Sequence, residues 1–355
     1  MKSASRIWNF IRPYLHTGSA QAEYYKRRVS LDLAAPLTFP RAAHIAQYFQ
    51  SHGITLSPAE SRLLSAFTFR DMDSRYSRRQ FALLASLFIP FDSNTTPLKR
   101  SAILHILDHW GISADQVADV QMSYLNSGDN KSTYKFDVFT FTGRQKAFVI
   151  GVDKNTGLFG EKHSKMEFDF LKRNSAGNFD FLPKLLGFTV FRGIVAGKNE
   201  RYFMITKEYI EGQTAEAYLQ NCQEGKKARA ANRIGAQLGK FIAHLGGYPN
   251  DFHFKNVIVN EPKEGELEVT FNDILGVIAV NTTTAVQSLF LPLLTDEVGD
   301  KILPFMEGFL EGAGKEKGLH ILTKYFHILM AHPAVLFGEH NELMERFEGF
   351  LRENK

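Results

Sequence analysis

The sequence predicts an α+β protein in which a helical region precedes a β-rich lobe and then an α-rich lobe. Three observations carry this. Apolar residues recur at helical spacing from about residue 40 to 112. Near residue 117 the pattern changes to short β-branched and aromatic stretches that alternate in places. After about residue 212 helical periodicity returns, with one hairpin embedded in it. A chain of 355 residues can form two domains or one large bilobal unit, and its 31 Phe supply a large aromatic core. The expected boundaries are 1–115, 116–211 and 212–355.

The elements follow in order. "FPRAAHIAQYFQSHG" carries Ala43, Ile45, Tyr48 and Phe49 near helical spacing and stops at Gly53. "SPAESRLLSAF" opens with Ser57 as a cap, Pro58 at the first helical position and Glu60 three residues on, a capping box. "SRRQFALLASLFI" and "PLKRSAILHILDHWGI" read as further helices. Strands are expected in "VADVQMSYL" and "STYKFDVFTFTGRQKAFVIGVD", with "TGRQ" as the turn of a hairpin. "KHSKMEFDFLKRNS" reads as a helix, and two more strands flank the Gly-Lys-Asn turn after "FLPKLLGF". "KARAANRIGAQLGKFIAHL" is a long helix. "NVIVN" and "LEVTFND" are strands joined by a turn containing Pro and Gly.

Composition excludes some classes. The net charge of +4 does not argue for a nucleic-acid partner, although residues 1–115 hold 14 Lys/Arg against 8 Asp/Glu. Cys222 is the only cysteine, so no intrachain disulfide and no cysteine-based zinc site can form, which fits a reducing, cytoplasmic compartment. No apolar run is long enough for a membrane span. The acid-free start, with Lys2, Arg6 and Arg12, matches either a docking helix or a targeting or export leader. His320, His327 and His332 lie at seven and five residues, a poor chelating geometry on a helix.

One loop carries chemistry. "YPNDFHFKNVIVN" places Asp251 five residues before Asn256, and Asp273 in "TFNDILG" follows 17 residues after Asn256. Phosphoryl transfer needs phosphates cradled, Mg²⁺ held by hard oxygen ligands and the attacking hydroxyl oriented by a base. An Asp, an Asn five residues on and a second Asp after a short hairpin meet the last two needs, because the hairpin turns Asn256 and Asp273 toward one metal site. Asp251 is then the candidate catalytic base. Asn256 and Asp273 are the candidate metal ligands.

On these residues the chain resembles the protein-kinase-like superfamily, in its aminoglycoside-phosphotransferase-like branch of small-molecule kinases. The resemblance covers roughly residues 117–345 and runs in the family's order. "YLNSGDNKSTYKFDVF" looks like the hairpin that covers the nucleotide, which implies phosphate contacts at Ser127, Gly128 and Asn130. "MEFDFLKR" resembles the helix that offers a paired carboxylate, here Glu167, with Glu161 as the alternative. "YFMITKEYIEGQTAEAYL" resembles the hinge, which implies adenine held by backbone groups at Glu208, Tyr209 and Ile210. The implied fold is a bilobal kinase-like one, and the implied cofactors are ATP and Mg²⁺. The implied acceptor is a hydroxyl on a small molecule, or on a protein recruited by the N-terminal region. The C-terminal region clusters few acids, which disfavours an aminoglycoside.

The departures point to a second reading. The family's His before the catalytic Asp falls at Pro249, and its strand lysine falls at Gly151. Lys135, on the preceding strand, is the first substitute for that lysine and Lys154 the second, with Lys146 also nearby. A chain that had lost the lysine altogether would be a pseudokinase-like scaffold acting through residues 1–115.

Overall fold

The computed structural model describes residues 26–32, 46–47, 49–50, 55–69, 83–84, 86–88, 101–127, 131–153, 158–195, 198–250, 252–278, 301–330 and 341–355. The expected site residues Gly128, Asn130, Lys154 and Asp251 lie outside them.

The chain is mixed α+β. Strand β1 (Lys26–Asp32) comes first, then helix α1 (Pro58–Ser65), β2 (Phe67–Phe69) and α2 (Ala102–His109). Three antiparallel strands follow, β3 (Val117–Ser127), β4 (Lys131–Thr140) and β5 (Gln145–Asp153), and then helix α3 (Leu158–Asn174). The hairpin β6 (Leu185–Val195) and β7 (Lys198–Glu208) leads to β8 (Gln213–Thr214), α4 (Ala215–Asn221) and α5 (Glu224–Leu245). After β9 (Tyr248–Pro249) come the hairpin β10 (Val257–Lys263) and β11 (Glu266–Phe271), then β12 (Val277–Ile278). Helices α6 (Ile302–Ala313), α7 (Lys315–Met330) and α8 (Asn341–Asn354) complete the described chain.

One seven-stranded sheet dominates, in the order β1-β6-β7-β5-β4-β3-β2. Its five inner strands are antiparallel. The outer two pair in parallel, β1 with β6 and β2 with β3. Both edge strands come from the 1–115 region expected to be helical, β2 from within the 40–112 stretch and β1 from before it. Three residues such as Phe67–Phe69 are too few to show a period of two, and their pairing is set by the neighbour Val120–Met122 rather than by local pattern.

Period-two alternation splits the sheet between two cores. On β4 the side chains of Tyr134, Phe136 and Val138 are buried, while their neighbours are only half-buried. They pack with Phe148 of β5 against Leu63, Phe67, Phe88, Ile106 and Trp110 from the N-terminal segment. Phe136 stacks on Phe148 with centroids 4.8 Å apart. The N-terminal segment thus covers one face of the sheet as part of its core. The Ser57–Glu60 capping box is formed, with Ser57 N–H donating to Glu60 Oε2 at 2.8 Å and Glu60 N–H donating to Ser57 Oγ at 3.3 Å.

On β7, Met204 joins that core, whereas Phe203 and Ile205 point the other way. They meet Phe168 and Leu171 of α3 and belong to the core that holds α5, the β10–β11 hairpin and α6. Helices α5 and α6 pack backbone to backbone. A Cβ on Gly308 would stand 1.9 Å from Asn232 O, and one on Gly235 would stand 2.0 Å from Phe305 O. Among the described residues no helix is long and apolar enough to cross a membrane.

Candidate functional site

The second face of the sheet carries charge where the first carries aromatic rings. On β4 the face opposite Tyr134 presents Lys131, Thr133 and Lys135. Register places Lys131 across from Asp153, Thr133 across from Gly151 and Lys135 across from Val149. On the next strand Gly151 faces Ile205 and Val149 faces Lys207. The period of two therefore puts Lys131, Lys135, Gly151, Asp153 and Lys207 on one surface, toward α3 and the hairpin.

Glu167 of α3 rises into this surface and is fully buried. Two ammonium groups meet it. Lys131 Nζ contacts Glu167 Oε2, and Lys207 Nζ lies 2.6 Å from Glu167 Oε1. Lys207 donates as well to Asn272 Oδ1 at 2.7 Å and to Asp273 Oδ1 at 3.2 Å. Its three N–H bonds are thereby used, which a buried ammonium requires. Lys131 lies 3.6 Å from Asp273 Oδ1, an ion-pair distance beyond a hydrogen bond. The result is one network joining β4, α3, β7 and the end of β11.

Asp273 is 41% exposed and adopts a left-handed backbone, φ 55°. Asp tolerates that conformation better than most residues. Partial burial works to raise its pKa, but the Lys207 and Lys131 ammoniums outweigh it and hold the carboxyl below its usual range. Burial likewise works to lower the Lys131 pKa, and the Glu167 and Asp273 carboxylates overcome this and raise it. Asp153, 1% exposed, behaves differently. Burial pushes its carboxyl up to about 6, against the opposing effects of the Ser164 hydroxyl and Lys131.

The hairpin returns the chain as its sequence predicts. Val257 pairs with Phe271, and Asn272 N–H donates to Asn256 O at 2.7 Å, so Asn256 and Asp273 come from adjacent backbone. The flanks of Asp251 are tied to the same place, because Pro249 pairs with Val277 and Asn250 N–H donates to Gly276 O at 2.9 Å. Mg²⁺ takes one or two carboxylates and completes its shell with phosphate and water. Asp273 offers a carboxylate here, and two ammoniums already stand against its Oδ1. Among the described residues there is no group of three or more His, Cys, Asp or Glu that could hold a metal ion.

The remaining expected residues fall in varied positions. Ser127 ends β3, paired with Ser132. Lys135 does not reach Glu167: its Nζ lies 2.9 Å from Asp137 and 4.2 Å above the Tyr209 ring. Lys135 and Lys131 share a face, so alternation alone does not separate them, and register decides that Lys131 stands nearer α3. Lys146 pairs with Glu208 at 3.9 Å. At the expected hinge, Glu208 N–H donates to Lys184 O and Tyr209 N–H to Ala147 O, at 2.9 and 3.0 Å. These two amides are used within the fold, while Glu208, Tyr209 and Ile210 line a cleft of about 470 Å³ with Asp180, Lys184 and Glu268.

Sequence reading missed Lys131, Lys207, Asn272 and Asp153. Lys207 left a readable signal, the first charge after the run Tyr202–Thr206, in phase with the apolar Phe203 and Ile205. Asp153 left none, because a carboxylate at a strand end reads as solvated. No family model and no curated protein matches the chain in sequence.

Proposed function

We propose that this protein is an ATP- and Mg²⁺-dependent phosphotransferase with a bilobal, protein-kinase-like arrangement, acting on a hydroxyl, most simply that of a small molecule. The observation that supports it best is the network in which Glu167, Lys207, Asn272 and Asp273 converge from a helix, a sheet strand and the end of a hairpin. Such a convergence pairs a helix carboxylate with a strand ammonium beside a carboxylate suited to metal, the parts that phosphoryl transfer uses.

In this reading Asp273 and Asn256 hold Mg²⁺, and Asp251 orients the acceptor hydroxyl. Bound Mg²⁺ neutralises charge that builds on the transferring phosphoryl group. Glu167 keeps the ammoniums in place. The β3–β4 hairpin, with Ser127, Gly128 and Asn130, covers the phosphates. The adenine lies against the backbone of Glu208 to Ile210.

A thermal shift with ATP, with and without Mg²⁺, on the native chain and on Asp273→Asn tests this. Stabilisation that requires Mg²⁺ and disappears in the variant is expected, since a ligand bound only by the folded state raises its stability. No shift with ATP in either condition would refute it. That outcome would favour a nucleotide-free scaffold, a reading with one observation behind it: two ammoniums occupy the Asp273 carboxylate. It would not favour a freely docking N-terminal module, because Leu63, Phe67 and Ile106 are core residues of the sheet.

A further inference from the structure

Gly151 stands where the resemblance expects a lysine, and the stem of Lys131 passes beside it. A Cβ at Gly151 would lie 3.5 Å from Lys131 Cδ and 3.4 Å from Ile205 Cγ2. The Lys131 stem crosses over Gly151 from the neighbouring strand and delivers its ammonium to Glu167. A Cβ there makes ordinary van der Waals contact, whereas a side chain as long as lysine at position 151 would run along the path that the Lys131 stem takes.

The geometry points to a division of the missing lysine's work between two residues: Lys131 binds a polyphosphate oxygen directly, and Lys207 positions Glu167 and Asp273. This rests on the reading of the cleft as a nucleotide-phosphate site. The assignment follows from how many donors each ammonium has left. Lys207 is 5% exposed and spends its three N–H bonds on Glu167, Asn272 and Asp273. Among the described residues Lys131 makes one hydrogen bond, to Glu167, which leaves donors for an anion. Its side chain is 11% exposed, it sits beside the half-open Asp273, and it follows directly on the loop between β3 and β4. Lys207 also stands 3.2 Å from Asp273 Oδ1, so a divalent cation on that oxygen would compete with it.

The test uses the full chain and three probes: Mg²⁺ with ATP, Mg²⁺ with inorganic tripolyphosphate, and adenosine. Loss of one charge-assisted hydrogen bond to phosphate corresponds to a roughly 10- to 100-fold weaker Kd. Lys131→Met is expected to weaken ATP and tripolyphosphate by that factor and to leave adenosine unchanged. Equal affinity of native chain and variant for both phosphates would overturn the Lys131 assignment while leaving the phosphotransferase reading intact. Native protein that binds tripolyphosphate through Lys131 but not ATP would keep the assignment and remove that reading. Native protein that binds neither phosphate would overturn both.

For Lys207 the readout is the Mg²⁺ requirement of ATP binding. Lys207→Met is expected to lower the half-saturating Mg²⁺ concentration, because one competing cation has left Asp273. A variant with lower stability but the native Mg²⁺ requirement would show a packing role only.

Discussion

Asp153→Asn is predicted to make the protein's stability less sensitive to pH, and the size of the effect follows from the burial of one carboxyl. Asp153 ends β5 at 1% exposure, with Oδ1 accepting from the Ser164 hydroxyl and no hydrogen bond to Oδ2 among the described residues. Burial raises its pKa from the ordinary 3.8 to about 6. The folded state therefore keeps its proton to higher pH than the unfolded state does. The stabilisation is complete below the unfolded pKa and is lost as pH rises through about 6. A shift of this size corresponds to about 3 kcal/mol in full, of which about 1.4 kcal/mol falls between pH 5 and pH 8. Asparagine keeps an acceptor for Ser164 and does not titrate. Urea denaturation of both proteins at pH 5 and pH 8 is the assay. The native chain should lose about 1.4 kcal/mol more than the variant over that interval. A constant difference between the two proteins across the interval would show that Asp153 is solvated or already ionised, and the argument from burial would fail.

Removing Lys207 should be costly, because it leaves a buried Glu167 with one ammonium fewer. Lys207→Met is expected to destabilise the fold by roughly 3–5 kcal/mol in chemical denaturation, with part of the loss recovered in combination with Glu167→Gln. Gly308→Ala should cost roughly 1–3 kcal/mol despite alanine's better helix propensity, since its Cβ would stand 1.9 Å from Asn232 O. Gly349→Ala, on a helix with nothing within 4 Å of the new Cβ, should be stabilising by up to about 1 kcal/mol, and the opposite signs of the two glycine variants make the comparison sensitive to helix contact alone. Ser57→Ala should cost about 1 kcal/mol of stability through loss of the α1 cap.

Some of this was legible before any coordinates. The capping box at Ser57–Glu60 is a local pattern, and its two hydrogen bonds involve residues three apart. The β10–β11 hairpin is local too, and its closure brings Asn256 beside Asn272. Strands β4 to β7 announced themselves by β-branched and aromatic alternation. The two edge strands did not, because their partners lie far along the chain and β1 is rich in charge, reading Lys-Arg-Arg-Val-Ser-Leu-Asp.

The site divides along the same line. Sequence alone pointed to the hairpin that brings the backbone of Asn256 beside Asn272, next to Asp273, and to the helix upstream that carries Glu167. Only the tertiary structure decided which cations meet Glu167. That choice depends on cross-strand register, which sets Lys131 opposite Asp153 and Lys207 opposite Val149, and on the Lys131 stem passing beside Gly151 toward Glu167. A lysine's reach extends over several residues of a neighbouring strand, so spacing within one strand cannot say where its charge will lie. Desolvation acts on both carboxyls of the assembled group and carries Asp153 up, while the Lys207 and Lys131 ammoniums hold Asp273 down.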